Sequence, residues 1–290
     1  MIPFALDDVV RRALHEDLGE IGDITSLTTL DADESGSAQI VAREAGVISG
    51  VAAVTATCRI VDARLAATWR RGDGDRVEPG DVVAEISGPA RSIVTAERTA
   101  LNFLGRLSAV ASKTARMVAL VAGTGARIVD TRKTTPGLRA LEKAAVRHGG
   151  GVNHRMGLHD AILVKDNHIA LAGGVDAIHE RLAERSGHMV RVEVEVDTHE
   201  QLSRFLALDA DRIRAGKPPV VHCVLLDNMA PPAVAQAVAM VREHLAPLVV
   251  EVSGGVNEST VRELAEAGPD VISIGALTHS AGCLDLGLDL

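Results

Sequence analysis

The chain is 290 residues long with a formal net charge of −9, and it is 47% hydrophobic but only 1% aromatic, with no tyrosine. That length exceeds one usual domain, so two parts are expected, with cores packed from Val, Leu, Ile and Ala. The acidic balance and lack of aromatic platforms argue against nucleic acid, because duplexes ask for a basic surface and single strands for stacking; nor does any apolar run reach the roughly 20 residues of a membrane span.

The first segment, Leu6–His15, has apolar residues at 6, 9, 10, 13 and 14, the spacing of an amphipathic helix. The acids of Glu16–Gly19 and Gly22–Ser26 suit capping and turn roles. Ser37–Arg43 alternates like a strand. Gly72–Ile86 places paired turn signals between short strands, a pattern similar to the hammerhead of biotinyl and lipoyl carrier domains. It has no lysine at the turn to carry a prosthetic group, so it implies shape and not carrier function. From Glu97 a long helix is expected, with apolar residues at 101, 103, 104, 107 and 110 and with Arg98 in its first turn. The helix dipole there prefers an acid, so Arg98 gains nothing locally. The three cysteines, Cys58, Cys223 and Cys283, share no metal-like spacing, and without a secretory segment a reducing cytoplasm with free thiols is expected.

Between Arg127 and His168 the sign of the charge reverses: eight Lys/Arg stand against four Asp/Glu, with four His besides. Arg127–Asp130 reads as a short buried strand that Thr134-Thr135-Pro136-Gly137 breaks at once, leaving Arg132 and Lys133 at the strand end. Ala161–Asn167 repeats the arrangement and ends on Lys165. Between them lie a helical run, Leu141–Val146, a hinge-like Gly149-Gly150-Gly151, and the polar knot Asn153-His154-Arg155-Met156-Gly157. In parallel α/β sheets ligands bind at the C-terminal ends of strands, and Arg matches carboxylates and phosphates bidentately. An isolated Arg-Lys pair would be a solvated rim; this density of cations asks for a polyanionic small molecule.

Further strands are expected at Met189–Val196, Pro219–Asp227, Leu248–Ser253 and Asp270–Gly275, with helices at Thr198–Leu208, Ala230–Leu245 and Glu258–Ala267. The alternation means a parallel sheet, and six such strands favour a barrel, short of the eight of a complete one. Strand parity puts Glu193 and Glu195 on one face, where burial demands a cation. Glu195 and Asp227, at neighbouring strand ends, suit Mg²⁺ or ribose hydroxyls, or else an internal ion pair with Lys133 or Lys165. Ser253-Gly254-Gly255, with Asn257 as N-cap of a following helix, and Gly275 after the last strand suit a phosphate.

The run TRKTTPGLRALEKAAVRHGGGVNHRMGLHDAILVKDNHI, together with ERTALNFLGRLS around Arg98, resembles the quinolinate phosphoribosyltransferase family. The resemblance implies an α/β protein: an N-terminal α+β open-faced, hammerhead-like domain plus an incomplete TIM-like α/β barrel. It places the first at 1–105, with 277–290 folding back onto it, and the barrel at 106–276. It implies transfer of phosphoribosyl from phosphoribosyl pyrophosphate to quinolinate with decarboxylation. Arg132, His154, Arg155 and Lys165 would then hold quinolinate, with Arg98 supplied across a homodimer with shared sites. Lys133, Glu195 and Asp227 would be catalytic, the last two holding Mg²⁺, and Ser253, Gly254, Gly255 and Gly275 would bind phosphate. Three alternatives remain open on the sequence: a nicotinate-type transferase, a relative associated with molybdate transport, and a barrel that only binds a phosphorylated metabolite.

Overall fold

The structure is a computed structural model that describes residues 3–290, with side chains described from Leu6 onward; Met1 and Ile2 lie outside the described residues. In chain order the elements are α1 (Pro3–Leu18), α2 (Ile24–Thr29), β1 (Ser35–Ala42), β2 (Gly46–Val47), α3 (Val51–Val61), β3 (Ala66–Trp69), β4 (Arg76–Val77), β5 (Val82–Pro89), α4 (Ala90–Leu120), β6 (Arg127–Val129), α5 (Arg139–His148) and β7 (Ile162–Val164). They continue as α6 (Asp166–Ala172), α7 (Val175–Arg185), β8 (Val192–Val196), α8 (His199–Arg214), β9 (Cys223–Asp227), α9 (Pro231–Arg242), β10 (Val249–Ser253), α10 (Val261–Glu266), β11 (Val271–Ser273), α11 (Ala276–His279) and β12 (Leu286–Asp289).

Contacts divide the chain into two compact units. One joins the residues up to Arg116 with Lys133–Gly151 and Ala276–Leu290; the other joins Met117–Arg132 with Val152–Gly275. The first is built on an antiparallel sheet in the order β12-β1-β5-β3. Its outer strand is the C-terminal tail, with Gln39 opposite Asp289 and Ala42 opposite Leu286. Alternation in β1 buries Ala38, Ile40 and Ala42 against Ile48, Val54, Ile86, Ile93 and Leu104. Gly105 on α4 is needed for the tail's approach, since a Cβ there would lie 2.6 Å from Cys283 Sγ.

Two expectations change in this unit. Helix α4 begins at Ala90, seven residues before Glu97, so Arg98 sits in the third turn and not the first. Gly149 and Gly151 are packing residues rather than a hinge: a Cβ on Gly149 would lie 2.3 Å from Ala111 O, and one on Gly151 2.8 Å from the Thr114 methyl. Close approach to α4 draws α5 into this unit, although the sequence places it in the barrel half.

The second unit is the barrel, six parallel strands in the order β6-β11-β10-β9-β8-β7. All six expected strands are present, and β8 and β9 start only at Val192 and Cys223, after the apolar lead-ins. Hydrogen bonding does not close β7 onto β6; instead Val152 bridges Val129 in parallel, so the barrel is incomplete. Outside it, α7 and α8 are joined by the buried pair His179 Nε2–Asp209 Oδ1 at 2.8 Å. Asp209 also accepts the Val220 and Val221 amides, at 2.9 and 3.0 Å. These bonds outweigh burial and hold its carboxyl below the usual range. None of the helices is long and apolar enough to cross a membrane among the described residues.

Candidate active site

Register fixes how the ionisable side chains are layered inside the barrel. Glu193 stands opposite Cys223, Glu195 opposite Leu225, Glu251 opposite Leu225, and Ser253 opposite Asp227. Residues in register in a parallel sheet share a face, so the acids rise in layers from the N-terminal to the C-terminal ends of the strands. Strand β8 is buried throughout, and Glu193, Glu195 and Glu251 are 8%, 7% and 4% exposed. Carboxylates so placed need compensation.

Each finds a different partner. In the lower layers His154 Nε2 lies 3.1 Å from Glu193 Oε2 and 3.4 Å from Glu251 Oε1, and the Cys223 thiol donates to Glu193 at 3.0 Å. Burial alone would lower the His154 pKa, but the two glutamates beside it outweigh this and pull it up to about 10. The His154 ring also accepts the Arg155 amide on Nδ1 at 2.7 Å, a bond that a second ring proton would break. The paired carboxylates are the stronger influence because their bonds are charge-assisted. Burial would raise Glu193, but the imidazole holds it down, whereas burial pushes Glu251 up. Burial and Glu193 together push the Cys223 thiol up, which suits a structural donor and not a nucleophile.

This cluster predicts a pH dependence. A group whose pKa is raised by folding contributes stability that is complete below its unfolded value, about 6.5, and is lost as pH rises through its folded one. The thermal midpoint should therefore fall as pH is raised from about 6.5 towards about 10, and a His154→Gln variant should show a flatter profile over that window. Parallel wild-type and variant curves would remove His154 from this role.

In the same layer as Glu251, Lys165 Nζ donates to Glu195 Oε2 at 2.5 Å, with the lysine side chain 48% exposed and the glutamate's 9%. This is the internal pair that parity called for, made by Lys165. Lys165 opens α6, where its backbone amide donates to His168 Nδ1 at 2.9 Å. Arg155 is held by the Ala161 carbonyl at 3.0 Å, and its pKa is lowered by burial first and by the charge of Arg132 second, so these two cations act on one another. The buried Asp130 secures the polar knot by accepting Asn153 Nδ2 at 2.6 Å and the His154 amide at 2.8 Å.

Asp227 ends β9 beside Ser253, and the glycine turn follows with Gly254 at φ 94 and Gly255 at φ 60, backbone that side chains avoid. Gly275 follows the last strand. One expectation fails: α10 begins at Val261, and Asn257 instead closes a turn by accepting the Ser259 amide at 2.9 Å. A six-residue helix that far from the glycines lends them no dipole.

The expected residues thus divide among three places. Lys165, Glu195, Asp227, Ser253, Gly254 and Gly255 lie at the C-terminal ends of the strands. His154 and Arg155 line a cavity of about 410 Å³ with Arg127, Arg191 and His222, residues from the N-terminal ends. Arg98 and Lys133 belong to the other unit; Arg98 is 66% exposed, with Glu97 at 3.5 Å, and the Lys133 carbonyl accepts the Thr278 hydroxyl at 2.7 Å. Among the described residues, the three-donor group with ligand atoms within 4.8 Å of one another is His154, Glu193 and Glu251. Sequence reading missed Asp130 and Glu251, although an acid in the middle of the apolar run Val249–Ser253 is a visible signal.

An incomplete α/β barrel with ionisable side chains layered through its interior and a glycine turn at its C-terminal rim defines a small-molecule enzyme of the barrel class. The model of the quinolinate phosphoribosyl transferase C-terminal domain matches residues 110–289, and that of the N-terminal domain matches 23–108. A Mycobacterium leprae protein described as nicotinate-nucleotide pyrophosphorylase (carboxylating) is 43% identical over 293 residues, covering 99% of this chain and 97% of that protein. A Nicotiana tabacum protein described as quinolinate phosphoribosyltransferase (decarboxylating) 2b, mitochondrial, is 37% identical over 299 residues, covering 99% and 82%. The solved nicotinate-nucleotide pyrophosphorylase of Francisella tularensis superposes with a TM-score of 0.89 at 34% identity, covering 100% of this chain and 97% of that one. The chain belongs to the quinolinate phosphoribosyl transferase family.

Proposed function

We propose that the chain transfers the phosphoribosyl group of phosphoribosyl pyrophosphate to the ring nitrogen of quinolinate, with loss of one carboxylate as CO₂. The products are nicotinate mononucleotide and pyrophosphate, and the step belongs to NAD biosynthesis. The observation that carries this reading is family membership over nearly the whole chain, through both domains. The interior cations support it.

In this reading Arg132, His154, Arg155 and Lys165 hold the two carboxylates of quinolinate, which requires His154 and Arg155 to turn from their cavity towards Lys165 as the substrate binds. Lys165 leaves Glu195 to do so, which frees that carboxylate for the ribose as the substrate arrives. Arg98 reaches the site of a second copy in a homodimer, a role that its exposure supports. Ser253, Gly254, Gly255 and Gly275 take the 5′-phosphate, and Lys133 steadies the pyrophosphate. Positive charge developing at ribose C1 is stabilised by Glu195 and Asp227. Once alkylated, the ring nitrogen is cationic and stabilises the electron pair left when CO₂ departs, so no covalent nucleophile is required.

Glu195 and Asp227 offer oxygen donors only, the set that Mg²⁺ takes, whereas a histidine-containing group such as His154–Glu193–Glu251 does not suit it. Mg²⁺ held there would neutralise charge on the departing pyrophosphate. The free thiols of Cys58, Cys223 and Cys283 fit a reducing cytoplasm.

The test is a coupled assay with quinolinate, phosphoribosyl pyrophosphate and Mg²⁺, following CO₂ and mononucleotide, with nicotinate as parallel substrate. Equal amounts of both products from quinolinate alone are expected, and chelation of the metal should abolish turnover. Turnover of nicotinate alone would mean that the cations serve another purpose. Silence with both would favour a barrel that only binds.

A further inference from the structure

Asn228 is the one described non-glycine residue with left-handed backbone, at φ 54. Outliers of that kind persist where surrounding structure holds them, and they concentrate at functional sites. Asn228 directly follows Asp227, and its contacts run both ways. Its side-chain Nδ2 donates to Asp227 Oδ2 at 2.6 Å. Its backbone amide donates to the Ser253 carbonyl at 2.9 Å, tying the end of β9 to the end of β10. Its Oδ1 lies so close to Gly254 that a Cβ on that glycine would be 2.2 Å away, with Asn228 Cγ at 2.6 Å and its backbone nitrogen at 2.8 Å. The carboxamide is therefore set between the Asp227 carboxylate and the Ser253-Gly254-Gly255 turn, and only glycine at 254 leaves it room.

From this placement, and resting on the function proposed above, we infer that Asn228 is a positioning residue for phosphoribosyl pyrophosphate: it fixes the Asp227 carboxylate and the Gly254 turn relative to each other, so that the ribose and phosphate ends are read as one unit. The residue type follows from two demands made at once. The backbone must be left-handed, which glycine, asparagine and aspartate tolerate. The side chain must donate a hydrogen bond to a carboxylate. Glycine has no donor, and aspartate would set a second negative charge against Asp227. Asparagine alone meets both.

The plainer role is that of a turn former, for which asparagine merely substitutes for glycine. The two roles predict opposite behaviour of Asn228→Gly. That variant relaxes the backbone while deleting the amide, so a pure turn former would lose nothing and gain thermal stability. A positioning residue would lose affinity for one substrate only.

The experiment is a calorimetric titration of phosphoribosyl pyrophosphate, with Mg²⁺ present, into the wild-type protein and the Asn228→Gly and Asn228→Asp variants. Thermal midpoints and turnover with quinolinate are measured in parallel. Asn228→Gly is expected to bind phosphoribosyl pyrophosphate about ten-fold or more weakly, because Asp227 is then no longer pre-set against the Gly254 turn and must be ordered on binding. Its thermal midpoint should be unchanged or higher and its KM for quinolinate unaltered. Asn228→Asp should bind more weakly still. Gly254→Ala, whose new methyl displaces the amide, should reproduce the loss. Wild-type affinity in Asn228→Gly would overturn the inference, and so would a wild-type protein that does not bind phosphoribosyl pyrophosphate. A wild-type protein that binds it without turning over quinolinate would overturn the proposed reaction, while the titrations would still decide the role of Asn228.

Discussion

Lys165→Ala is expected to lower kcat/KM for quinolinate about 100-fold or more, with a far smaller effect on the KM for phosphoribosyl pyrophosphate. The Lys165 ammonium donates to Glu195, whose side chain is 9% exposed. Hydrogen bonds to charged groups contribute about 1.5–3 kcal/mol each, and removing one to a substrate carboxylate accounts for about a ten- to hundred-fold loss. The rest comes from Glu195, left without its cation near an incoming anion, where like charges repel. Lys165→Arg should not rescue the variant fully, because a planar fork replaces a compact point charge. Steady-state kinetics with each substrate varied in turn provide the check, with circular dichroism to establish that the barrel is folded. Full activity in Lys165→Ala would remove this lysine from the site.

The second large effect is expected at Glu142, which nothing in its sequence neighbourhood marks as special. It is fully buried on α5. Arg106 donates to its Oε1 from Nη2 at 2.8 Å and from Nε at 3.2 Å. Thr135 donates its hydroxyl to Oε1 at 2.7 Å and its amide to Oε2 at 3.0 Å. Arg106 also donates to the carbonyl of Thr278, whose hydroxyl holds the Lys133 carbonyl. Glu142 thus anchors the Lys133–Thr135 segment to α4 and to the C-terminal tail. Removing one partner of a buried pair typically costs about 3–5 kcal/mol, because the other is left uncompensated. Glu142→Ala should therefore lower the thermal midpoint by about 5–15 °C and reduce kcat as Lys133 loses its fixed position. Arg106→Ala should do much the same. The double variant should be markedly less damaged than the two single effects summed, since both remove one interaction. Strict additivity in the thermal midpoints would show that the two side chains act separately.

Much of this protein is legible in its residues. Six runs of β-branched and aliphatic residues, separated by helical patterns, specify a parallel barrel, because each run can hide only between neighbours of its own kind. The cations crowded from Arg132 to Lys165 reverse the sign of the charge over that stretch, and parity alone shows that Glu193 and Glu195 share a buried face and demand compensation. Parity shows which way a side chain points and not what it meets. That His154 takes Glu193 and Glu251 while Lys165 takes Glu195 depends on how segments distant in the chain are brought together. The same limit hides Glu142, whose partner Arg106 comes from α4 and itself reaches the Thr278 carbonyl near the C-terminus. It also hides the late start of α10, where a local turn at Asn257 competes for the amides that a helix would use. Sequence by itself determined the strands, their parallel arrangement and the stretch where positive charge is crowded. Only the tertiary structure decided which charges pair, because hydrogen bonds and ion pairs act over a few ångströms and the residues that share them are brought that close only by folding.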